Sequence, residues 1–494
     1  MAVVLSIDAG TSGIRTLAID EHGRVVRSAK REFPQHFPRP GWVEHDPEDI
    51  WDATVATLSE VASATRDAGE SIACIGITNQ RETVVVWSRS TGRPLHRAIV
   101  WQDRRTAADC DARRAAGLEP MIRARTGLVL DPYFSASKLA WLLREGGVEA
   151  SPDLAFGTVD SWLLHRLTGG RVHATDPSNA SRTMLFDIGD LAWSAELAGE
   201  FGVPMSCLPE VLPSSGRFGV TDPGTTAGLA LPVSGIAGDQ QAALFGQACF
   251  EPGMAKNTYG TGSFVLVNLG PTRPEPAEGL LTTVAWQVGS ESAVYAMEGA
   301  IFVTGAAIQW LRDGLGIIAD AAETGPLAES VPDSGGVMFV PAFTGLGSPY
   351  WDPYARGTIL GLTRGTGRAH LARAVVESMA YQTRDVVDAV TAATGTRLAE
   401  LRIDGGASAM DLLGRLQSDL LGVPVRRPQV QETTALGAAY LAGLAEGVWS
   451  SGADAAGAWI EEASFIPTAP EAVVDAGLAT WRRAVERSRG SARE

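Results

Sequence analysis

Two short turns rich in glycine and hydroxyl residues contain the residue types that bind phosphate. Asp8-Ala9-Gly10-Thr11-Ser12-Gly13 follows the apolar run 3–7, and Thr258-Tyr259-Gly260-Thr261-Gly262-Ser263 leads into the apolar run 264–267. Glycines allow a tight turn in which backbone N–H groups and small hydroxyls point toward phosphate oxygens. One such turn in each half of the chain predicts two similar domains that bind one polyphosphate between them.

Two aspartates at the ends of strand-like apolar runs are candidates for metal and acid–base chemistry. Asp8 ends the first run, and Asp239 follows Val233-Ser234-Gly235-Ile236-Ala237-Gly238. A buried, unpaired carboxylate is costly, and Mg²⁺, bound directly or through water, would offset that cost at Asp8. Asp239 either accepts the proton of an attacking hydroxyl, as aspartates do in phosphoryl transfer, or simply caps a helix over residues 240–247.

A polar loop and two aromatic residues are candidates for binding a polyhydroxylated ligand. Asn79-Gln80-Arg81-Glu82 follows a buried strand at 72–77 and offers neighbouring hydrogen-bond donors and acceptors, although a solvated loop has the same composition. Trp101 and Tyr133 lie in loop-like segments, where each is either a ligand wall or part of the core. The chain lacks G-x-x-x-x-G-K-[ST] and the protein-kinase H-R-D and D-F-G motifs, so any ATP site must use the paired turns.

The elements that position these residues alternate between strands and helices in both halves. Strands are predicted at 3–7, 16–20 and 24–27, and Asp46-Pro47-Glu48-Asp49 predicts a helix start. The second half repeats this pattern, with strands at 263–268 and 292–297, a helix near 304–313, and long helices at 371–393 and 433–446. We therefore predict two α/β domains with mixed sheets, at residues 1–250 and 251–494.

Composition excludes several classes of function. The net charge of −16 argues against a nucleic-acid partner, because no basic surface exists to displace counterions. Four scattered cysteines exclude a disulfide framework and a thiolate zinc site, and fit a cytoplasmic protein. We find neither a signal peptide nor a run of about 18 apolar residues, so no membrane span is predicted. Lysine is rare, and Lys256, just before the second turn, is expected to act near the nucleotide.

Together these motifs resemble the FGGY family of carbohydrate kinases over nearly the whole chain. Tyr133-Phe-Ser-Ala-Ser-Lys-Leu-Ala-Trp141-Leu is similar to the first family signature, and Gly357-Thr-Ile-Leu-Gly-Leu362 followed by His370-Leu-Ala-Arg-Ala-Val-Val-Glu377 is similar to the second. Further segments resemble the branch of the family that phosphorylates glycerol: residues 40–47, 77–83, 179–186, 235–246, 256–262 and 341–347.

The resemblance implies ATP-dependent phosphorylation of glycerol with Mg²⁺. It implies two actin-like, hexokinase-like (ribonuclease-H-type) domains flanking a central cleft, and we expect a homo-oligomer, either a dimer or a tetramer. Asp239 corresponds to the catalytic base, and Asp8 and Asp239 are expected at the metal. The polyol positions are Arg81, Glu82, Trp101, Tyr133, Asp239, Gln240 and Phe264. The nucleotide positions are Thr11, Ser12, Gly13, Arg15, Thr261, Gly305, Gln309, Gly406 and Met410.

Three departures from the family pattern leave alternatives open. Ala9 replaces a usual glutamine, and Gly13-Ile14 replaces usual serines, which is closer to the sugar kinases. A related polyol or ketose kinase is therefore one alternative, and a catalytically silent actin-like nucleotide-binding module is another. Met410 replaces a usual asparagine near the adenine site and cannot read a base by hydrogen bonds, so we predict a looser nucleotide preference.

Overall fold

The computed structural model describes residues 2–492, in which the phosphate-type turns connect strands of two large sheets. The strands of the first sheet are β1 Ala2–Ala9, β2 Gly13–Asp20, β3 Val25–Glu32, β5 Ser71–Asn79, β13 Ser215–Val220 and β14 Pro232–Gly238. They lie in the order β13-β14-β5-β1-β2-β3. Strands β1 to β3 form an antiparallel meander, β5 and β14 run parallel to β1, and β13 is antiparallel.

The second sheet repeats this arrangement with one additional strand. Its strands are β15 Met254–Tyr259, β16 Ser263–Gly270, β17 Leu281–Trp286, β18 Val294–Ile301, β21 Glu400–Asp404, β22 Val425–Pro428 and β23 Glu461–Phe465. Their order is β17-β18-β16-β15-β21-β22-β23. Again an antiparallel meander precedes two parallel strands and an antiparallel edge strand. The duplication predicted from the two turns is therefore present in the strand order.

The remaining strands form five small antiparallel or parallel pairs outside the two sheets. These pairs are β4 Glu44–His45 with β7 Ala98–Ile99, β6 Val85–Ser88 with β8 Leu154–Gly157, β9 Ala174–Thr175 with β12 Glu210–Val211, β10 Phe186–Asp187 with β11 Ala192–Trp193, and β19 Met338–Val340 with β20 Thr358–Leu360.

Helices pack on the faces of both sheets. Helix α1 begins as predicted, with Pro47 in its first turn and the Asp46 carboxylate accepting a hydrogen bond from the Glu48 amide at 3.0 Å. The helices are α1 Pro47–Asp67, α2 Ala107–Ala115, α3 Glu119–Thr126, α4 Ser135–Arg144, α5 Val159–Leu167, α6 Pro177–Ala180, α7 Ala195–Phe201, α8 Asp239–Gly246, α9 Gly305–Gln309, α10 Thr324–Glu329, α11 Arg368–Thr394, α12 Asp411–Leu421, α13 Thr433–Ala445, α14 Gly452–Gly457 and α15 Glu471–Ser488.

Two helices connect the lobes, by which we mean the first and second sheets with their helices. Helix α13, late in the chain, packs on β1, β5 and β14 of the first sheet, while α8 contacts β15 and β16 of the second. The two helices cross so closely that a methyl group on Gly437 would overlap the Ala242 carbonyl. Small residues allow this close crossing, and it makes the packing of each lobe depend on the other half of the chain.

The strands and helices predicted in the second half are present, with one local difference. The helix expected near 304–313 is α-helical over Gly305–Gln309 and continues as a π-helical turn over Trp310–Gly314. All four cysteines are buried and unpaired. Over residues 2–492 we find no helix with the length and apolar character needed to cross a membrane.

Candidate active site

The two phosphate-type turns are tight hairpins built on close backbone contacts. In the first, the Gly10 amide donates to the Gly13 carbonyl at 3.1 Å, and in the second the Gly260 amide donates to the Gly262 carbonyl at 2.8 Å. The amide of Gly305, at the start of α9, donates to the Gly260 carbonyl at 3.0 Å. A methyl group on Gly262 would clash with the Ile301 carbonyl, so the second hairpin requires glycine at this position.

A cavity of about 1230 Å³ opens beside the second hairpin. Five of the predicted nucleotide positions line it: Thr261, Gly305, Gln309, Gly406 and Met410. The Met410 side chain packs against Gly325, and the adjacent Asp411 also lines the cavity. The tertiary structure therefore brings these five positions, from three distant segments, together in a space large enough for a nucleotide.

The first hairpin borders a second, smaller cavity of about 320 Å³. Ser12, Gly13 and Arg15 line it together with Asp8. Thr11 instead accepts a hydrogen bond from the indole Nε1 of Trp101 at 3.0 Å. This bond links the first hairpin to a predicted polyol position, and sequence reasoning did not foresee it.

Glu432 comes from the segment just before α13 and also lines the smaller cavity. Its Oε1 lies 3.5 Å from Nη1 of Arg15, across 417 positions of sequence. We did not identify Glu432 from the sequence, because nothing near it marks a partner in β2. This contact adds an acidic group beside the predicted phosphate hairpin.

Asp8 lies at the end of β1, where its carboxylate is unfavourably placed. Burial and the nearby Asp239 carboxylate raise the pKa of Asp8 to about 6, although Arg15 acts in the opposite direction. A cation beside Asp8 would reverse this effect, because it stabilises the ionised form. Among residues 2–492 no cluster of three or more His, Cys, Asp or Glu side chains could hold a metal alone. The donor set suits a hydrated Mg²⁺ that also binds ligand oxygens.

Asp239 is the first residue of α8 and directly follows β14. Its Oδ1 accepts a hydrogen bond from the Gln240 amide at 2.7 Å and lies 3.1 Å from Nε of Arg81. The side chain is one-third exposed, in contrast to the buried side chains of Glu82 and Glu298. Asp239 is thus held by one hydrogen bond and one ion pair, and it remains accessible to a small molecule in the cleft.

The seven predicted polyol positions are linked by direct contacts or by shared neighbours. Trp101 and Tyr133 meet edge to face at 5.6 Å between ring centroids, and the Arg81 guanidinium lies 5.9 Å from the Phe264 ring. Glu82 has a φ of 61°, which is uncommon for a residue with a side chain and is typical of functional sites.

Two buried residues that we did not assign from the sequence complete this pocket. Arg182 donates from Nε to Glu82 Oε1 at 2.7 Å and from Nη2 to Glu298 Oε1 at 2.9 Å. Glu298 Oε2 in turn accepts from Arg81 Nη1 at 2.5 Å. Burial raises the pKa of Glu298, but the guanidinium groups of Arg182 and Arg81 outweigh it and hold the value at about 2. Positions 82, 182 and 298 are far apart in sequence, so no spacing pattern could have revealed this network.

Lys256 lies beside the polyol residues and does not line the nucleotide cavity. Its ammonium donates to Gln240 Oε1 and, at 3.0 Å, to Thr258 Oγ1. Burial lowers the pKa of Lys256 to about 8, with Asp404 and Asp239 opposing that shift. Because Oε1 of Gln240 is occupied by this donor, its amide NH₂ is the group left to face a ligand.

The two-lobed fold and its cleft define the class of protein. The model of the N-terminal domain of the FGGY family of carbohydrate kinases matches residues 3–246, and that of the C-terminal domain matches residues 255–446. The chain belongs to the FGGY family of carbohydrate kinases.

Similar proteins within this family carry a more specific name. A glycerol kinase of Symbiobacterium thermophilum is 55% identical, over 99% of both chains. A glycerol kinase of Carboxydothermus hydrogenoformans is also 55% identical, over 98% of both chains. A crystal structure of Plasmodium falciparum glycerol kinase with ADP matches with a TM-score of 0.94 and 36% identity, covering 99% of this chain and 98% of the other.

Proposed function

We propose that this protein transfers the γ-phosphoryl group of ATP to glycerol and forms sn-glycerol 3-phosphate. The similarity to glycerol kinases over the full chain supports this substrate pair. Within the molecule, one observation carries the proposal: Asp239 is one-third exposed and lies 3.1 Å from Arg81, where the polyol positions converge. A carboxylate beside a set of hydroxyl-binding groups is what phosphorylation of an alcohol requires.

In this proposal, Asp239 is the general base for the attacking hydroxyl. A bond forms between the glycerol oxygen and the γ-phosphorus, while the bond from that phosphorus to the β–γ bridging oxygen breaks. The hydroxyl proton passes to the Asp239 carboxylate, and ADP is the leaving group. The transition state is loose, so the enzyme contributes mainly alignment and electrostatic stabilisation.

The two hairpins and Asp8 act on the phosphates in this proposal. Backbone amides and hydroxyls at residues 11–13 and at Thr261 donate to phosphate oxygens, and Arg15 adds a cationic group. Asp8, with Asp239 nearby, would hold Mg²⁺, which supplies positive charge against the developing negative charge on the phosphates. The raised pKa of Asp8 supports this role, because a cation would remove the unfavourable interaction.

The polyol positions set the specificity for a three-carbon alcohol. Each glycerol hydroxyl is paired in this proposal with a charged or amide group among Arg81, Glu82, Asp239 and Gln240. Trp101, Tyr133 and Phe264 enclose the carbon edge. A ligand lacking one hydroxyl leaves a site group unpaired, which costs about 1–3 kcal/mol. In this proposal the three aromatic rings also limit the length of the alcohol that can bind.

We also propose that the catalytic unit comprises a first domain at residues 1–250 and a second at 251–494, with α13 of the second packed on the sheet of the first. Lobe closure around both substrates would then exclude water, which otherwise competes as the acceptor. A homo-oligomer, either a dimer or a tetramer, is part of the same proposal.

The decisive experiment is product analysis after incubation of the purified protein with MgATP and single acceptors. The acceptors are glycerol, dihydroxyacetone, erythritol and xylulose. We expect glycerol 3-phosphate and one equivalent of ADP from glycerol, with the highest kcat/KM of the four. A higher kcat/KM for xylulose or erythritol would favour the alternative of a related ketose or polyol kinase. Nucleotide binding without any transfer would favour the silent module.

A further inference from the structure

The polyol pocket rests on a layer of charged side chains that are almost completely shielded from water. Arg81, Glu82, Arg182 and Glu298 expose no more than 3% of their surface. Arg81 and Glu82 follow β5 and Arg182 follows α6, so these three belong to the first lobe. Glu298 lies on β18 of the second lobe, with Leu266 and Leu281 opposite it in the neighbouring strands. A single carboxylate from the second lobe therefore joins two arginines of the first.

The hydrogen bonds of Glu298 and Arg182 show which residues this charged layer holds in place. Glu298 uses one oxygen for Arg81 and the other for Arg182, so both oxygens are occupied. Arg182 uses Nε for Glu82 and Nη2 for Glu298, and its buried Nη1 has no partner within residues 2–492. These two residues therefore bond inward, to each other and to the predicted polyol residues. Together with Gln241, which accepts from Arg81 Nη1 at 3.2 Å, these bonds restrain the Arg81 guanidinium, and the bond from Arg182 restrains the Glu82 carboxylate.

A purely stabilising role does not explain this arrangement. Burying ion pairs carries a large desolvation penalty, and apolar residues of similar volume are often equally stabilising or better. Buried charges are also effective at holding partner groups in one orientation, because breaking a pair leaves an uncompensated charge. Preorganised donors and acceptors are what a small polyol needs for tight binding.

We propose that Glu298 and Arg182 are positioning residues for the polyol. Glu298 orients Arg81, and Arg182 orients Glu82, so that each presents its remaining polar atom to a substrate hydroxyl. Neither residue touches the substrate in this proposal. Because Glu298 belongs to the second lobe, a side chain of that lobe fixes the orientation of a polyol-binding group in the first lobe. The inference rests on the proposed phosphorylation of glycerol.

The test is a kinetic comparison of wild type and Glu298→Gln, which keeps the side-chain volume and removes the charge. We expect the KM for glycerol to rise about 10- to 100-fold, as for loss of a charged hydrogen bond. The KM for ATP stays within about threefold, and kcat falls less than the KM for glycerol rises. Calorimetry with glycerol and the nucleotide-free protein should show the same loss of affinity.

Asp385→Asn is the matched control for the replacement of a buried carboxylate away from the proposed site. Asp385 is a buried carboxylate of the second lobe that accepts hydrogen bonds from Tyr350 at 2.9 Å and Trp481 at 2.7 Å, outside the polyol pocket. We expect a raised KM for glycerol only in Glu298→Gln, with the unfolding temperature of both variants measured alongside. An unchanged KM for glycerol in Glu298→Gln, or an equal rise in both variants, would overturn the positioning role.

If Glu298→Gln does not fold, Arg182→Lys provides the same test. Lysine keeps the charge but lacks the planar fork that serves Glu82 and Glu298 from separate nitrogens, so a selective rise in the KM for glycerol is again expected. The wild-type assay separates this inference from the proposed function. A wild type that makes no glycerol 3-phosphate contradicts both proposals, whereas an active wild type with unshifted variants contradicts the positioning role alone.

Discussion

The two ends of the cleft are built by different means. At the polyol end, the predicted binding groups are side chains such as Arg81 and Glu82, which are buried and held by further charges from both lobes. At the nucleotide end, an open cavity of about 1230 Å³ is bordered by backbone turns and glycines, and its wall includes Met410. The polyol end is closed and charged, whereas the nucleotide end is wide and lined by four glycines together with apolar and charged side chains such as Leu412 and Arg415.

This difference reflects the size of the ligand that each end is proposed to bind. Glycerol offers three hydroxyls and little surface, so its recognition depends on a few polar groups in fixed positions. ATP offers a triphosphate that backbone amides can hold and a base that can be bound by packing. We therefore expect side-chain changes at the polyol end to be severe and selective, and those at the nucleotide end to be mild unless they distort the backbone.

The largest effect is expected at Asp239, where the two ends meet. Asp239→Asn removes the proton acceptor and keeps the shape, so kcat should fall about 100- to 10,000-fold while glycerol and ATP still bind. Steady-state kinetics with calorimetry checks this. Glu471→Gln, at the first residue of α15, is the control, with kcat expected at the wild-type value. Near-normal turnover in Asp239→Asn would remove the residue from its proposed role.

The next largest effect is expected in the free energy of unfolding when Asp8 is replaced. In the unfolded chain this carboxyl ionises near 3.8, whereas in the folded protein its pKa is raised to about 6. Between these values the folded state keeps a proton that the unfolded state loses, so stability falls as pH rises from about 4 to 6, and the loss remains at pH 8. Asp8→Asn should therefore raise the free energy of unfolding at pH 8 by about 1–3 kcal/mol without divalent cations, and should reduce activity with MgATP.

Urea unfolding from pH 4 to 8 measures this change. Asp20→Asn is a control of opposite sign, because backbone and side-chain hydrogen bonds from Arg24 and His22 outweigh burial and lower the pKa of Asp20. That variant should lose stability at pH 8. Equal stability of wild type and Asp8→Asn across this range would contradict the prediction that the ionised Asp8 carboxylate destabilises the folded protein.

A moderate effect is expected from the backbone of the second hairpin. Gly262→Ala forces a methyl group against the Ile301 carbonyl, which displaces the hairpin, so the KM for ATP should rise about 10-fold with little change in the KM for glycerol. Gly260→Ala is the matched control in the same turn, since its methyl group would meet only the Gly262 carbonyl at 3.5 Å. Similar KM values for ATP in the two variants would argue against a role for the backbone geometry.

The smallest effect is expected at Met410. Wild type should use GTP and CTP with kcat/KM within about 10-fold of that for ATP, because a thioether packs on any base without reading its edge. Met410→Asn should raise the preference for ATP about 3- to 10-fold through one added hydrogen bond. Competition assays with the three nucleotides measure this ratio. Strict ATP selectivity in wild type would contradict the prediction.

Much of the fold was predictable from local signals in the sequence. The two hairpins are short and glycine-rich, and the start of α1 at Asp46-Pro47 follows from residues within one turn. The strand order was foreseen only as a duplication, because pairing such as that of β15 with β21 joins residues 146 positions apart. The packing of α13 on the first sheet and the contacts of α8 with the second sheet were not foreseen. Helix periodicity does not specify which sheet a helix covers.

The sequence by itself determined the chemistry available to this protein: paired phosphate-type turns, Asp8, Asp239 and the Arg81-Glu82 pair, each recognisable from residue type and immediate neighbours. The tertiary structure alone decided what holds those groups in place. Glu298, Arg182 and Lys256 act on the polyol residues through side-chain bonds that span up to 217 positions. The physical reason is that a local motif depends on a few adjacent residues, whereas a buried charge network exists only after two lobes exclude water from it.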